Sequence, residues 1–343
     1  MATPVLVCGS MAFDTIAVFE GRFKEHILAD RIQSLSVSFL VPSMRKEYGG
    51  CSGNIAYNMN LLGGKPVPVA TVGEDAGEYL ERLTGLGIDV SRVKVVPGTF
   101  TAQCFITTDL DDNQITAFHP GAMSFSASND LSDAKASWGI VAPDAKEGMF
   151  AHAERLHRSG IPFIFDLGQA MPLFDGADLE RMLGLAQALT VNDYEAGVVE
   201  QRTGRSMADI ATGLQAVVVT RGAEGATLLT EGKSFQIEPV RATQVVDPTG
   251  CGDAQRGGLL YGLTSGWNWE DSCRLGNVMG AIKIASRGPQ NHARRAPRST
   301  PCCTPPTAST CRPEPVSGWR SGCGGNPAAW QWSNSRQKQA VAV

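Results

Sequence analysis

Short apolar runs alternate with amphipathic segments over the first 292 residues, and this alternation limits the possible folds more than any other feature of the chain. VLVCG (5–9), VPVATVG (67–73), GIVAP (139–143), PFIFD (162–166), ALTVN (188–192) and AVVVTRG (216–222) each read as a buried strand. Between them come GNIAYNMNLLG (53–63), with Ile55, Met59 and Leu62 on one helical face, EYLERLTGLG (78–87), closed by a glycine, and a helix over 146–159. Buried strands separated by helices imply an α/β architecture: a mainly parallel sheet covered by helices on both faces. Two stretches break the rhythm. DTIAVFE (14–20) and SLSVSFLVPSMRKEYGG (34–50) have strand composition with no helix between them, and AQCFITTD (102–109) with NQITAFHP (113–120) reads as a hairpin around Leu110-Asp111-Asp112. Parts of 14–50 and 102–120 are expected to form a small second sheet beside the main one.

Composition removes other classes. The chain has 343 residues, 43% hydrophobic and 19% charged, which suits a globular protein with a sizeable core. A net charge of −4 speaks against an electrostatic nucleic-acid binder. No run of about 20 apolar residues exists to cross a membrane. Residues 1–20 lack a basic start and carry Asp14 in their apolar stretch, which does not suit a signal peptide. Cys8, Cys51, Cys104, Cys251 and Cys273 stand singly with no CxxC pair, as in a reduced, cytoplasmic protein.

The rhythm fails after residue 293. The last 50 residues hold seven prolines, four cysteines (302, 303, 311 and 323) and three tryptophans, with seven basic residues and one acidic. The four cysteines have neither zinc-finger spacing nor accompanying histidines, so no metal site is expected there. One domain is therefore read over 1–292, and an atypical tail over 293–343. Two readings of the tail stay open: a genuine flexible segment, or the product of a reading-frame shift that replaced the natural C-terminus.

VVDPTGCGDAQRGGLLYGL (245–263) carries the chemistry. A buried strand is expected to end at Asp247, a tight turn to follow at Gly250-Cys251-Gly252, and a helix to start at Asp253. Glycines let backbone amides converge without Cβ clashes, and amides at a helix N-terminus favour an anion such as a phosphoryl group. Asp253 beside such a nest suits a general base acting on a hydroxyl. A strand–turn–helix with an N-capping aspartate is the plain structural alternative.

This segment resembles the C-terminal signature of the ribokinase (PfkB-type) sugar and nucleoside kinases, DTxGAGDxF, with Cys251 for the common alanine and Gln255 for the common aromatic. EYGGCSGNIAYNMNLLGG (47–64) resembles the family's N-terminal signature. The resemblance implies that Gly49 and Gly50 let backbone approach the substrate while Asn54 and Asp14 hold sugar hydroxyls. VNDYEA (191–196) resembles the NxxE motif, which implies that Asn192 and Glu195 act on Mg²⁺ and its waters. TRGAEGA (220–226) resembles a turn beside ATP, with Thr220, Gly222 and Gly225 matching. LGNVMGAIKIASRGPQ (275–290) resembles the adenine-pocket segment, with Asn277 at the base-facing place. Within it SRGPQ resembles the loop that, with Asp247 and Thr249, holds a monovalent cation, K⁺, in several members. The resemblance spans about residues 4–290 and implies a ribokinase-like fold in which the small sheet is a lid. No GxGxxG follows the first strand and no GxxxxGK[ST] loop occurs, which disfavours an NAD enzyme and a P-loop kinase.

The function so implied is in-line transfer of a phosphoryl group from ATP to a primary alcohol. Asp253 is the base, and the amides of Gly250, Cys251 and Gly252 hold the phosphate. FEGRF (19–23), SFLVPSMRKEYGGCSGNIAY (38–57), ITTDLDDNQITAFHPGAM (106–123) and DLGQAMPLF (166–174) look most like bacterial nucleoside kinases of the adenosine kinase type. The substrate expected is then a nucleoside phosphorylated at its 5′-hydroxyl, with Phe13, Phe39, Met44 and Phe118 as an apolar slot for the base and Gln169 as an edge contact. A sugar kinase, and an impaired nucleoside binder arising from the altered C-terminus, are the alternatives. A small-molecule partner and a monomer or homodimer are expected.

Overall fold

The computed structural model describes residues 3–27, 33, 36–111 and 113–293. The strands anticipated from apolar runs form within a residue or two of their expected bounds. They are β1 (Val5–Cys8), β4 (Pro66–Val72), β8 (Trp138–Val141), β9 (Phe163–Asp166), β10 (Ala188–Asn192) and β11 (Ala216–Thr220). They pair in parallel in the order β11-β10-β9-β8-β1-β4. Three further strands complete the sheet, which has nine among the described residues. The short β5 (Val93–Val95) adds in parallel at one edge, and the antiparallel hairpin of β12 (Ala226–Thr230) and β13 (Lys233–Ile237) closes the other.

Side-chain alternation sorts the two faces. Leu6 and Cys8 point to the side covered by α4 (Lys146–Arg158), α5 (Gly176–Leu185), α6 (Asp193–Thr203) and α7 (Met207–Ala211), where Met149, Leu156, Leu179, Met182, Val199 and Ile210 are buried. Val5 and Val7 point to the opposite side, where Ile55 and Met59 of α2 (Cys51–Leu61), Leu259 and Leu260 of α8 (Cys251–Thr264) and Cys273 of α9 (Trp269–Lys283) complete the core. A third apolar cluster joins Ala70 and Val72 of β4 to Tyr79 and Leu83 of α3 (Gly77–Gly85) and to Met11 and Phe13.

The second sheet forms as expected, from β2 (Ala12–Val18), β3 (Ser43–Gly49), β6 (Ala102–Thr108) and β7 (Gln114–His119), in the order β3-β2-β6-β7. The β6–β7 hairpin turns on Asp109, whose carboxylate accepts the backbone N–H groups of Phe23, Asp111 and Asn113. The segment 36–42 has strand composition but pairs with nothing. Instead the Phe39 ring lies 4.8 Å from Phe19 and 5.0 Å from Phe23, the latter in the single turn α1 (Phe23–His26), so Phe39 finds an aromatic cluster rather than a ladder, while Leu40 stays exposed. The expectation for the tail falls on residues 294–343, outside the described ones. Among the described residues no helix is long and apolar enough to cross a membrane.

Candidate active site

The site lies at the carboxyl ends of the parallel strands, where open α/β sheets place their ligands. Its centre is the first turn of α8. Gly250 has φ +79°, a left-handed conformation that reverses the chain into the helix, and a side chain there would meet the Pro289 Cβ at 2.7 Å. The Cys251 amide closes the turn on the Pro248 carbonyl, 3.1 Å away. This corrects the expectation that all three residues of the turn offer free amides. Among the described residues, the backbone N–H groups of Gly250 and Gly252 remain without a backbone partner outside the helix.

Asp253 follows on the inner side of the helix. Its Oδ2 accepts the Asn54 Nδ2 at 2.8 Å, which ties the first turn of α8 to the first turn of α2. Burial pushes its pKa up to about 6, and the Asn54 hydrogen bond acts against that rise. Asp14, on β2, is pushed up to about 6 as well, by burial first and then by the charge of Asp253. Two carboxylates 239 residues apart in sequence thus feel each other's charge.

The N-terminal glycines sit against this pair. Gly49 ends β3 beside the Asp14 carboxylate. Gly50 has φ +84°, and a Cβ there would fall 2.5 Å from the Ser10 carbonyl and 2.6 Å from the Met11 Cα. A chain of hydrogen bonds then connects the glycines to the candidate base. The Tyr79 hydroxyl donates to the Gly49 carbonyl at 2.8 Å. The Gln290 Nε2 lies 2.6 Å from that hydroxyl and donates to the Asn54 Oδ1 at 3.0 Å. Tyr79 carries no motif weight in the sequence and Gln290 was read only within the SRGPQ loop, yet together they fix the orientation of Asn54.

On the other side of the helix Arg256 is buried and grips Asp166, at the end of β9, through its Nε at 3.2 Å and Nη2 at 3.0 Å. Neither residue was singled out as functional from sequence. A fork-to-fork pair of this kind is strong in a dry site and costly to break. Its remaining nitrogen, Nη1, lies beside Gly252, where an added Cβ would meet it at 3.5 Å. A fixed positive charge therefore stands behind the turn.

The other expected residues occupy the same edge with unequal roles. Asn192 and Glu195 cap α6 reciprocally: Asn192 Oδ1 accepts the Glu195 N–H, and the Glu195 carboxylate accepts the Asn192 N–H and Nδ2, all at 2.8–2.9 Å. Burial raises the Glu195 pKa, opposed by the Arg256 charge. Among the described residues no group of three acidic, histidine or cysteine side chains stands ready to cage a metal. Thr220 ends β11 and Gly222 and Gly225 form the turn into β12. Asn277, on α9, donates to the Glu238 carbonyl at 3.0 Å. Gln169 is exposed on the turn after β9.

The apolar slot differs from expectation. Phe13 alternates with Asp14 along β2 and points away from the cleft, its ring 5.7 Å from that of Tyr79, with the Lys46 ammonium above it. The register pairs Met44 with Ala17, on that same far face, and Phe39 is engaged in the aromatic cluster. Of the four, Phe118 alone shares a face with Asp14, through Cys104, and Ile16 and Ile106 join it there. The period of two decides this, and composition does not show it.

Comparison with known proteins agrees with this architecture. The family model for pfkB family carbohydrate kinases matches residues 5–296. The Burkholderia thailandensis nucleoside kinase, solved in complex with inosine, is 53% identical and superposes with a TM-score of 0.76 over 84% of this chain and 93% of that one. The nucleoside kinase of Methanocaldococcus jannaschii is 27% identical over 259 residues, 75% of this chain and 85% of its own. The aminoimidazole riboside kinase of Salmonella typhimurium is 26% identical over 277 residues, 73% and 86% of the respective chains.

Proposed function

The chain belongs to the pfkB family of carbohydrate kinases, phosphotransferases with an alcohol acceptor, and from that premise we propose that it phosphorylates the 5′-hydroxyl of a nucleoside, adenosine or inosine, with Asp253 as general base. The observation that carries the reading is the convergence of Asp253, at the mouth of the Gly250 turn and tied to Asn54 at 2.8 Å, with Asp14 beside Gly49 on the second sheet. The 53% identical relative that was solved with inosine supports the nucleoside class, as does the apolar face of Ile16, Cys104, Ile106 and Phe118 beside Asp14.

The chemistry follows from the residues. Asp14 accepts bonds from sugar hydroxyls, and Asn54, held by Gln290, donates to them or to Asp253. A pKa near 6 leaves Asp253 mostly ionised at neutral pH, and a stronger base than an exposed aspartate, so it takes the 5′-hydroxyl proton as the oxygen attacks in line. The free amides of Gly250 and Gly252 and the Arg256 guanidinium face the transferring phosphoryl group, where charge builds up. Asn192 and Glu195 would hold Mg²⁺ brought by ATP through its waters, and the ion would supply charge neutralisation. The second sheet serves as a lid that excludes water and limits ATP hydrolysis.

The test is ADP release with ATP and Mg²⁺, comparing adenosine, inosine and cytidine with ribose and fructose. Turnover on the nucleosides, lost by about 10²-fold or more in Asp253→Asn, is the expected result. Turnover confined to free sugars rejects the substrate class, and wild-type turnover in Asp253→Asn rejects the base.

A further inference from the structure

Lys283 is a lysine with no access to solvent. It ends α9, and its ammonium bridges two separate backbone segments, donating to the Asp247 carbonyl at 2.8 Å and to the Ser286 carbonyl at 3.1 Å. Burial pushes its pKa down, while the charges of Asp247, Glu47 and Asp253 and the Cys251 thiol act in the opposite sense. A lysine is buried at this cost only where its charge is matched.

The two segments are those that the family resemblance marks as the place of a monovalent cation: Asp247-Thr249 and SRGPQ. Several oxygens of these segments and of the residues just before the loop are already engaged in this chain. The Asp247 carboxylate accepts the Thr249 and Gly288 N–H groups, each at 2.9 Å. The Ile284 carbonyl accepts the Val246 N–H at 2.8 Å, and the Ala285 carbonyl accepts the Gln244 Nε2 at 2.9 Å. The Asp247 and Ser286 carbonyls, one from each segment, are those that Lys283 takes. The loop does not fit a K⁺ ion while the ammonium stands there.

We propose that Lys283 is the resident monovalent cation of this kinase: its ammonium joins the extended segment that delivers Asp247, which forms no strand, to the loop of 286–290, so that turnover needs no added alkali cation. The inference rests on the kinase reading for its effect on turnover and on geometry alone for its effect on the fold. Lys283 is a positioning residue, since the segments it joins set the Gly250 turn, against which Pro289 packs, and Gln290, which holds Asn54.

Two measurements test it on the full chain, each in tetramethylammonium chloride and in KCl. The first is ADP release. The wild-type rate is expected to change less than about twofold between the two salts, whereas Lys283→Met is expected to lose about tenfold or more in tetramethylammonium and to recover in KCl but not in LiCl. The second is the thermal unfolding midpoint, which K⁺ is expected to raise in Lys283→Met and not in the wild type. Wild-type turnover that requires K⁺, full activity of Lys283→Met without K⁺, or a Lys283→Met protein that no alkali cation restores or stabilises would overturn the proposal. If Lys283→Met does not fold, the wild-type salt comparison decides. If the wild type phosphorylates no alcohol, the kinase reading falls, and the midpoints still decide the role of Lys283.

Discussion

Gln255 offers a stability test in which the expected sign is opposite to that of most core substitutions. The side chain is 5% exposed on α8, and among the described residues neither its Oε1 nor its Nε2 has a hydrogen-bond partner. It faces Gly276 of α9, where a Cβ would come within 3.0 Å of the amide nitrogen. A buried polar group without a partner costs about 1–3 kcal/mol. Methionine has nearly the same volume and adapts its rotamers to an irregular gap, so Gln255→Met removes the unpaired amide without leaving a cavity. The expected gain is about 2 kcal/mol, which for a body of this size raises the unfolding midpoint by about 4 °C. Circular dichroism melts of the two proteins in one buffer measure it. Gln255→Glu supplies the opposite sign, because a carboxylate in that place is still more costly to bury. An unchanged or lower midpoint in Gln255→Met would refute the reasoning, since the amide must then be satisfied in solution.

Three other outcomes follow from particular contacts. The pH profile of kcat/KM is expected to fall below a midpoint near 6, since Asp253 must be ionised to accept a proton and Asp14 to accept sugar hydroxyls, and both are raised by burial. A profile flat down to about pH 5 would reject that pairing. Asp166→Asn leaves the Arg256 charge buried with one ionic partner fewer and is expected to cost about 3–5 kcal/mol in urea unfolding, much of which Asp166→Leu with Arg256→Met recovers. Gly258→Ala drives a methyl group to 2.8 Å from the Gly276 Cα, backbone against backbone, and is expected to destabilise by about 1–3 kcal/mol or more, read from the same unfolding curves.

Much of the fold is legible because burial on two faces writes itself as continuous apolar runs. The core of β1, β4, β8, β9, β10 and β11 is of that kind, and each was readable from a run of five or seven letters. The β12–β13 hairpin was not. Its strands, ATLLT and KSFQI, are short, and the second carries three polar residues that face solvent at the sheet edge. The segment 36–42 misled in the opposite direction, since SVSFLV has strand composition whether its side chains meet a ladder or an aromatic cluster.

The site shows why a motif is only part of a mechanism. The glycines of 49–50 and 250–252, with Asp14, Asn54 and Asp253, stand in runs whose residue types have few other uses together, so their chemistry is visible locally. What holds them in place is not local. Gln290 reaches Asn54 across 236 residues of chain, and Lys283 and Arg256 find Asp247 and Asp166 from helices whose sequences suggest only ordinary polar faces. A lysine or an arginine on a helix is usually solvated, and nothing in its neighbours' identity says that this one is buried. The distinction appears only when the topology brings β9, β10 and the first turn of α8 to a common edge. There the positive groups are not distributed as surface charge: Lys283 stands beneath the Gly250 turn and Arg256, paired with Asp166, behind it, while Asp14 and Asp253 are the carboxylates proposed to meet the alcohol. On the proposed reading, charge of one sign on the phosphate side and of the other on the hydroxyl side is what phosphoryl transfer requires, and two buried cations that sit inside the motif runs, at positions to which the sequence assigns no role, contribute the positive part.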